Sequence, residues 1–240
     1  MNYTRGSIKL FFRGDPTLKG VWSFTGNARD ESGYGHPATI VARVAYGALT
    51  GLSSVGVISQ GEGGGALPYP QIVVVPTTVL GTIGTGDFTI MFRIYPVQPK
   101  AGNCSYLFFS SEMTGSARGP LVIYDPLNIR GLGDGIVFRV IRTNHQIVTS
   151  PAASDLYNRW LLVTFLRNNG NCQAYYDNEL KLSFTDTTYI PAAIVFILFS
   201  QEGDLWMNTG GQGREFACWR RALSPQEISA YYRWSRCYLN

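Results

Sequence analysis

The clearest pattern in the chain is an alternation of apolar and other side chains with a period of two. In Asp87-Phe-Thr-Ile-Met-Phe-Arg-Ile-Tyr95, Phe88, Ile90, Phe92 and Ile94 fall on one side and Thr89, Met91, Arg93 and Tyr95 on the other. Successive side chains of a strand point to opposite faces, so this segment predicts a strand with one large apolar face. The same reading predicts strands at 8–12, 20–24, 39–44, 55–59, 71–75, 105–110, 121–124, 136–142, 160–167, 172–176, 181–184, 194–200 and 215–219. Turn residues separate them. Asn168-Asn-Gly-Asn171 carries an Asn-Gly core, a strong short-range signal for a hairpin. Asp177-Asn178 predicts a second turn, in which Asn tolerates the left-handed conformation. The glycine-rich stretch 60–66 reads as a flexible loop, too short to separate two domains.

One segment has a helical signature, Leu223-Ser-Pro-Gln-Glu-Ile-Ser-Ala-Tyr-Tyr-Arg-Trp234. Ser224 suits the N-cap, Pro225 the first helical position, and Glu227 closes a capping box back to Ser224. Leu223 and Ile228 stand where a hydrophobic staple forms. Strands throughout and one helix at the end predict an all-β fold. The architecture expected is a two-sheet antiparallel sandwich with a short C-terminal helix, a single domain over 1–240.

Composition changes this picture in one respect. Charged residues make up 15% of the chain, against roughly 25% in typical soluble domains. A surface poor in Lys and Glu resists association less well, so partners are expected to cover some of it. The net charge is +4, with arginines scattered rather than clustered with aromatics. That excludes a nucleic-acid groove, and Arg220-Arg221 and Arg233 to Arg236 read as solvated ends of elements. The longest apolar run, Ile190 to Phe199, is shorter than the about 20 residues of a membrane span. The N-terminal MNYTRGSIKLFF lacks the marks of a signal peptide. The four cysteines, Cys104, Cys172, Cys218 and Cys237, form no Cys-x-x-Cys pair and are expected reduced, with a Cys218–Cys237 bridge as the alternative.

Four segments together resemble the laminin-G-like, concanavalin A-like jelly-roll family. They are Trp22-Ser-Phe-Thr-Gly-Asn-Ala-Arg-Asp-Glu-Ser-Gly33, Gly86-Asp-Phe-Thr-Ile-Met-Phe-Arg-Ile-Tyr-Pro96, the Arg159 to Leu180 hairpin region, and Phe216-Ala-Cys-Trp-Arg-Arg-Ala-Leu-Ser-Pro-Gln-Glu-Ile228. Their order and spacing cover nearly the whole chain. The resemblance implies a concanavalin A-like sandwich and says little about function, since such folds serve lectins, adhesion modules, glycosidases and virion decorations. Members of the family often bind Ca²⁺ near the rim, and Asn27 and Asp30 are the residues retained for that site. Thr25 stands where the resemblance implies an acidic residue, and Arg214 occupies the acidic position opening the last strand. A hard cation needs several oxygen ligands, so these departures argue against calcium. The alternative is that Asn27 and Asp30 hydrogen-bond the loop backbone as Asx turns.

Catalytic patterns are incomplete. Glucanases of this superfamily carry E-x-D-x-x-E on a strand, and Glu202-Gly-Asp-Leu-Trp-Met207 lacks the last carboxylate. The two histidines, His36 and His145, lie far apart and support no zinc site. Gly33-Tyr-Gly-His-Pro-Ala38 satisfies G-x-G-x-x-A, but Pro37 and the β-branched stretch after it rule out a dinucleotide turn. Among the aromatics, Trp206, Tyr175, Tyr176, Tyr34 and Trp234 are candidates to stack on sugar rings, core packing being the alternative for each. Trp206, Asp204 and Tyr34 form the expected ligand set. The expected function is a non-catalytic structural or interaction module of a larger assembly. Its context is a virion decoration or fibre-associated protein with adhesion to surface glycans, located in the particle. A glycan-binding lectin is the alternative and a glycoside hydrolase the third reading. The expected partners are protein subunits and glycans, with no nucleic acid and no membrane insertion.

Overall fold

The computed structural model describes residues 8–24, 26–40, 44–47, 56–59, 73–75, 79–97, 105–111, 118–125, 134–140, 145–149, 151–190, 195–201 and 212–236. Among them are fifteen strands in two antiparallel sheets. The first sheet holds β1 (Leu18–Trp22), β3 (Val44–Gly47), β4 (Gly56–Ser59), β6 (Phe88–Tyr95), β11 (Leu161–Asn168), β12 (Asn171–Tyr176), β13 (Glu179–Thr185) and β15 (Gln212–Trp219). Its order is β13-β12-β11-β6-β15-β4-β3, with β1 also paired to β15. The second sheet holds β2 (Thr39–Ile40), β5 (Val73–Val75), β7 (Ser105–Ser111), β8 (Arg118–Asp125), β9 (Gly135–Arg139), β10 (His145–Val148) and β14 (Val195–Gln201). Its order is β10-β9-β8-β7-β14-β5-β2.

The core between the sheets follows from the period-two pattern. Phe88, Ile90, Phe92 and Ile94 pack with Phe165 and Phe216 of their own sheet and with Val122, Ile136 and Phe138 of the second. The other face of β6 was expected to be the less apolar one, yet Thr89, Met91 and Arg93 are buried as well. Two helices cover it, α1 (Ile8–Phe11) and α2 (Pro225–Arg236). Ile8, Phe12, Met91, Leu162, Trp219, Ile228 and Tyr231 form a second apolar cluster beneath them. The helix α2 starts as its sequence predicts. Ser224 N donates to Glu227 Oε2 at 2.8 Å and Glu227 N donates to Ser224 Oγ at 3.2 Å, while Leu223 and Ile228 are both buried.

Several expectations need correction. Segment 8–12 is a helical turn, with Phe12 N donating to Ile8 O at 3.0 Å. A strand would put Ile8, Leu10 and Phe12 on one face; the helical turn buries Ile8 and Phe12 and leaves Leu10 43% exposed. The stretch 39–44, expected as one strand, has its ends in different sheets: β2 pairs with β5 and β3 with β4. A strand was missed at β10, which pairs with β9. The hairpin of β11 and β12 is as expected, with Asn169 and Gly170 at φ 48° and 79°. In the next turn Asp177, not Asn178, takes the positive φ of 59°. There Asp177 Oδ1 accepts from Leu162 N at 3.0 Å and its own N–H donates to Leu162 O at 2.7 Å. Arg220 and Arg221 are not merely solvated: Arg220 Nη1 donates to Leu80 O and Thr82 O at 2.5 and 2.6 Å, and Arg221 pairs with Asp15 and Glu227. Cys172 and Cys218 are free, buried thiols; Cys104 and Cys237 lie outside the described residues. Among the described residues no helix is long and apolar enough to cross a membrane.

Candidate ligand-binding site

The loop that leaves β1 builds one wall of the site. Asp30, 8% exposed, is its hub. Its Oδ1 accepts from Val21 N at 3.1 Å and Ser32 N at 2.8 Å, and its Oδ2 accepts from Ser32 Oγ at 2.8 Å and His36 N at 3.0 Å. Asn27 Oδ1 accepts from Arg29 N at 2.9 Å. Both residues therefore close Asx turns, the alternative the sequence offered. The loop is sewn to β1 by Glu31 N donating to Val21 O at 2.7 Å and by Trp22 Nε1 donating to His36 O at 3.0 Å. Gly33 and Gly35, at φ 99° and 76°, supply positive backbone angles that this reversal of direction requires.

These contacts bear on a calcium ion. Asp30 directs both oxygens at N–H and O–H donors, which occupy the lone pairs that a hard cation would take. Arg214 is itself buried, a cation at the position where the resemblance implies a carboxylate. Among the described residues no group of three His, Cys, Asp or Glu side chains is placed to hold a metal.

At the tip of the loop Tyr34 is 50% exposed. Its hydroxyl donates to Pro16 O at 3.2 Å, and Lys19 Nζ donates to the same oxygen at 2.8 Å. Lys19 Nζ also stands 5.0 Å from the Tyr34 ring centroid, which fixes the ring from one side. The His36 ring lies almost parallel to it, with centroids 6.4 Å apart. Between this tip and the turn that follows α1 is a pocket of about 310 Å³, lined by Lys9, Phe12, Arg13, Asp15, Ser32 and Tyr34 among others. The turn is held by Asp15: its Oδ1 accepts from Thr17 N and Oγ1 at 2.9 and 2.6 Å, and its Oδ2 accepts from Arg221 Nη2 at 2.7 Å. The pocket is thus lined by the half-exposed Tyr34, by Phe12 and Leu18, and by the Lys9 and Arg13 side chains.

A second pocket of about 240 Å³ lies beside the β12–β13 turn, among Arg159, Tyr176, Asp177, Glu179, Lys181 and Tyr232. Its charges pair with one another, Arg159 with Asp177 at 3.3 Å and Lys181 with Glu179 at 2.7 Å, so it offers less to a ligand. Of the other aromatic candidates, Tyr175 and Tyr176 are 3% and 2% exposed and belong to the two cores. Trp234 is partly buried against Phe11, 5.4 Å between ring centroids. Trp206 and Asp204 lie outside the described residues, as do Thr25, Glu202 and Met207. The pocket brings Tyr34, which the sequence singled out, together with Lys9, Arg13 and Asp15, which it did not. The Gly14-Asp15-Pro16 turn signal was there to be read, although nothing local places it beside residue 34.

Two packed antiparallel sheets of this order define a concanavalin A-like jelly-roll sandwich. Residues 71–229 match the family model of the concanavalin A-like lectin/glucanases superfamily, and the chain belongs to that superfamily. Among solved structures it is similar to the botulinum neurotoxin serotype D binding domain, at 17% identity and a TM-score of 0.65, covering 90% of this chain and 50% of that one. It is similar to the serotype D ligand-binding domain in complex with N-acetylneuraminic acid, at 16% identity and a TM-score of 0.63, covering 90% and 50%. The chain therefore spans about half the length of these neurotoxin domains. It is also similar to domain 4 of an extracellular GH43 arabinanase from Geobacillus stearothermophilus in complex with arabinotriose, at 16% identity and a TM-score of 0.63, covering 90% and 98%. At these identities the likeness establishes the fold. No curated protein matches the chain by sequence.

Proposed function

We propose that this chain is a non-catalytic binding module that attaches a larger assembly to surface glycans through the pocket beside Tyr34. The observation that carries this reading is the half-exposed Tyr34 ring in the lining of a pocket of mixed apolar and polar character, between the loop after β1 and the turn after α1. Sugar rings have apolar C–H faces and polar edges, and an aromatic surface flanked by charged and hydroxyl groups is complementary to both. Glycan complexes of structural neighbours, with N-acetylneuraminic acid and with arabinotriose, support it by analogy of fold.

A binding role without turnover is favoured by the lining itself. Among the described residues Asp15 is its one carboxylate, and that group is engaged by Thr17 and Arg221. Glycoside hydrolysis ordinarily uses a pair of carboxyl groups across the scissile bond. Binding is proposed to need no calcium, because the Asn27–Asp30 loop is closed by its own hydrogen bonds. The assembly is proposed to be a virion, with the chain as a decoration or fibre-associated component among protein subunits. The low charged fraction of 15%, which favours association, supports this part.

The test is a glycan array probed with the wild-type chain and with Tyr34→Ala, in the presence of EDTA. Specific glycan signals that fall at least about tenfold in the variant support the reading. A blank array, or signals indifferent to Tyr34, overturns it. The assembly role is checked separately by size-exclusion chromatography and by co-sedimentation with purified particles, where strictly monomeric behaviour without a particle partner counts against it.

A further inference from the structure

We propose that Tyr189 is a second sugar-stacking residue and that the site runs from it to Tyr34, so that the ligand is an oligosaccharide chain rather than one terminal sugar. This rests on the glycan-binding reading above. Among the described residues Tyr34 and Tyr189 are the two exposed aromatic side chains, at 50% and 59%. The topology puts them at one end of the first sheet. Trp219 of β15 pairs with Thr89 of β6 on one side and with Leu18 of β1 on the other. The starts of β6 and β1 therefore stand level, two strand spacings or about 10 Å apart. Tyr34 is tied to the turn that leads into β1, through Pro16 O. Tyr189 is tied to the segment that leads into β6. Gly84 N donates to Ile190 O at 2.8 Å, and Ile190 N donates to Gly84 O at 2.9 Å. A Cβ placed on Gly84 would stand 3.5 Å from Tyr189 Cε2, so the ring lies beside that glycine.

The backbone around Tyr189 is fixed on both sides. Beyond it is the Gly84–Ile190 bridge. Before it, Thr188 N donates to Asp186 Oδ1 at 2.9 Å and Thr188 O accepts from Arg167 Nη1 at 2.8 Å. Arg167 is fully buried, and its Nη2 also donates to Gly84 O and Gly86 O at 2.8 and 2.7 Å, which locks the two segments together. A ring this exposed adds little to the core, yet it is presented from a rigid base. Such a pre-organised aromatic face loses little conformational freedom on binding. The ground between the two tyrosines is equally fixed. Arg220 N donates to Thr17 O at 2.9 Å, next to Pro16, and Arg220 Nη1 donates to Leu80 O and Thr82 O at 2.5 and 2.6 Å, on the approach to Gly84. The Arg220 side chain is exposed, and among the described residues its Nε and Nη2 make no hydrogen bond. They are donors for sugar hydroxyls between the two rings. Two apolar faces with a donor between them match the alternating C–H faces and hydroxyl edges of linked sugars.

The experiment titrates the full chain with arabino-oligosaccharides and cello-oligosaccharides, from monosaccharide to hexasaccharide, by calorimetry. In a series that binds, affinity is expected to rise at least about threefold with length as the chain reaches the second ring, within what one aromatic contact contributes. In Tyr189→Ala that gain should disappear. Leu180→Ala removes another exposed apolar side chain, beside the β12–β13 turn at the opposite end of the sheet, and should keep the gain. Circular dichroism checks folding; should Tyr189→Ala fail to fold, Tyr189→Leu, which keeps apolar bulk and removes the flat ring, reads the same gain. Affinity indifferent to length, but lowered in Tyr34→Ala, overturns the extended site and leaves the glycan reading standing. A gain that persists without the Tyr189 ring, or that is lost equally in Leu180→Ala, overturns Tyr189 as its source. No binding of either series, with glycan-array signals that depend on Tyr34, overturns the oligosaccharide proposal alone, whereas a blank array removes the glycan reading itself.

Discussion

Glu215 and Arg93 form a buried ion pair across the β15–β6 ladder, Arg93 Nε donating to Glu215 Oε2 at 2.8 Å with side chains 1% and 5% exposed. A β-bulge makes it possible. Arg214 pairs with Arg93 and Phe216 with Phe92, leaving Glu215 as the extra residue at φ 54°. The carboxylate then points under α2, where the Tyr231 hydroxyl donates to it at 2.9 Å and Arg93 also bonds Ser235. The helix is thereby keyed to one position on the sheet by polar groups within an apolar cluster. Glu215→Gln keeps the side chain's size and strands the Arg93 charge. It should cost about 3–5 kcal/mol in urea denaturation, and Arg93→Met in the same chain should recover much of that loss. Additive losses in the double variant would refute the coupling.

Gly20 has a steric role. A Cβ there would overlap the Trp22 indole and lie 2.9 Å from Val79 Cγ1. The indole lies over the space that Gly20 leaves, while its N–H reaches the loop at His36. Gly20→Ala should lower stability by about 1–3 kcal/mol, the usual cost of overpacking. Thermal denaturation monitored by tryptophan fluorescence measures it.

Acid sensitivity follows from the Arg221 cluster. Hydrogen bonds from Arg221 hold Glu227 below its ordinary value, outweighing burial. Burial alone would raise Asp15, but hydrogen bonds from Thr17 and Arg221 hold it below its ordinary value as well. A carboxyl whose folded pKa is depressed stabilises the fold above its unfolded pKa and loses that contribution as pH falls through the folded one. The unfolded values are near 4.5 and 3.8, so the loss begins below them. Arg221→Gln should be less stable than wild type at about pH 7, with the gap closing towards about pH 2. Urea midpoints across that range test this, and a gap independent of pH would contradict it.

The described thiols should be inert. Burial, reinforced by Asp186, pushes Cys172 up to about 12, and burial raises Cys218 well above the ordinary thiol value. Only the thiolate attacks alkylating reagents. Iodoacetamide at about pH 8 should leave Cys172 and Cys218 unlabelled in the native chain and label both in urea. Peptide mass spectrometry distinguishes them from Cys104 and Cys237.

Much of the fold was legible along the chain because its signals are local. The Asn169-Gly170 turn needs two positive φ angles, and its residues announce that need. Ser224 and Glu227 satisfy each other's backbone within one helical turn. Asp30 was read as either a ligand or a backbone anchor, and the donors that make it an anchor, from Val21, Ser32 and His36, come together only when the loop folds back on β1. Segment 8–12 misled because Ile8, Leu10 and Phe12 fit a strand's period as well as Ile8 and Phe12 fit one helical turn.

What the sequence by itself determined was the period of the strands, the chemistry of their turns and the start of α2, all set by neighbours a few residues apart. The tertiary structure alone decided that β6 is buried on both faces, since the cover comes from residues 8–12 and 225–236, at opposite ends of the chain. It alone decided that Arg93 has a partner, because a bulge far along the sequence turns Glu215 towards it. The rim pocket belongs to the same class. Arg13 and Tyr34 become one surface only because Tyr34 reaches Pro16 O across the fold, and no pattern confined to either segment encodes that meeting.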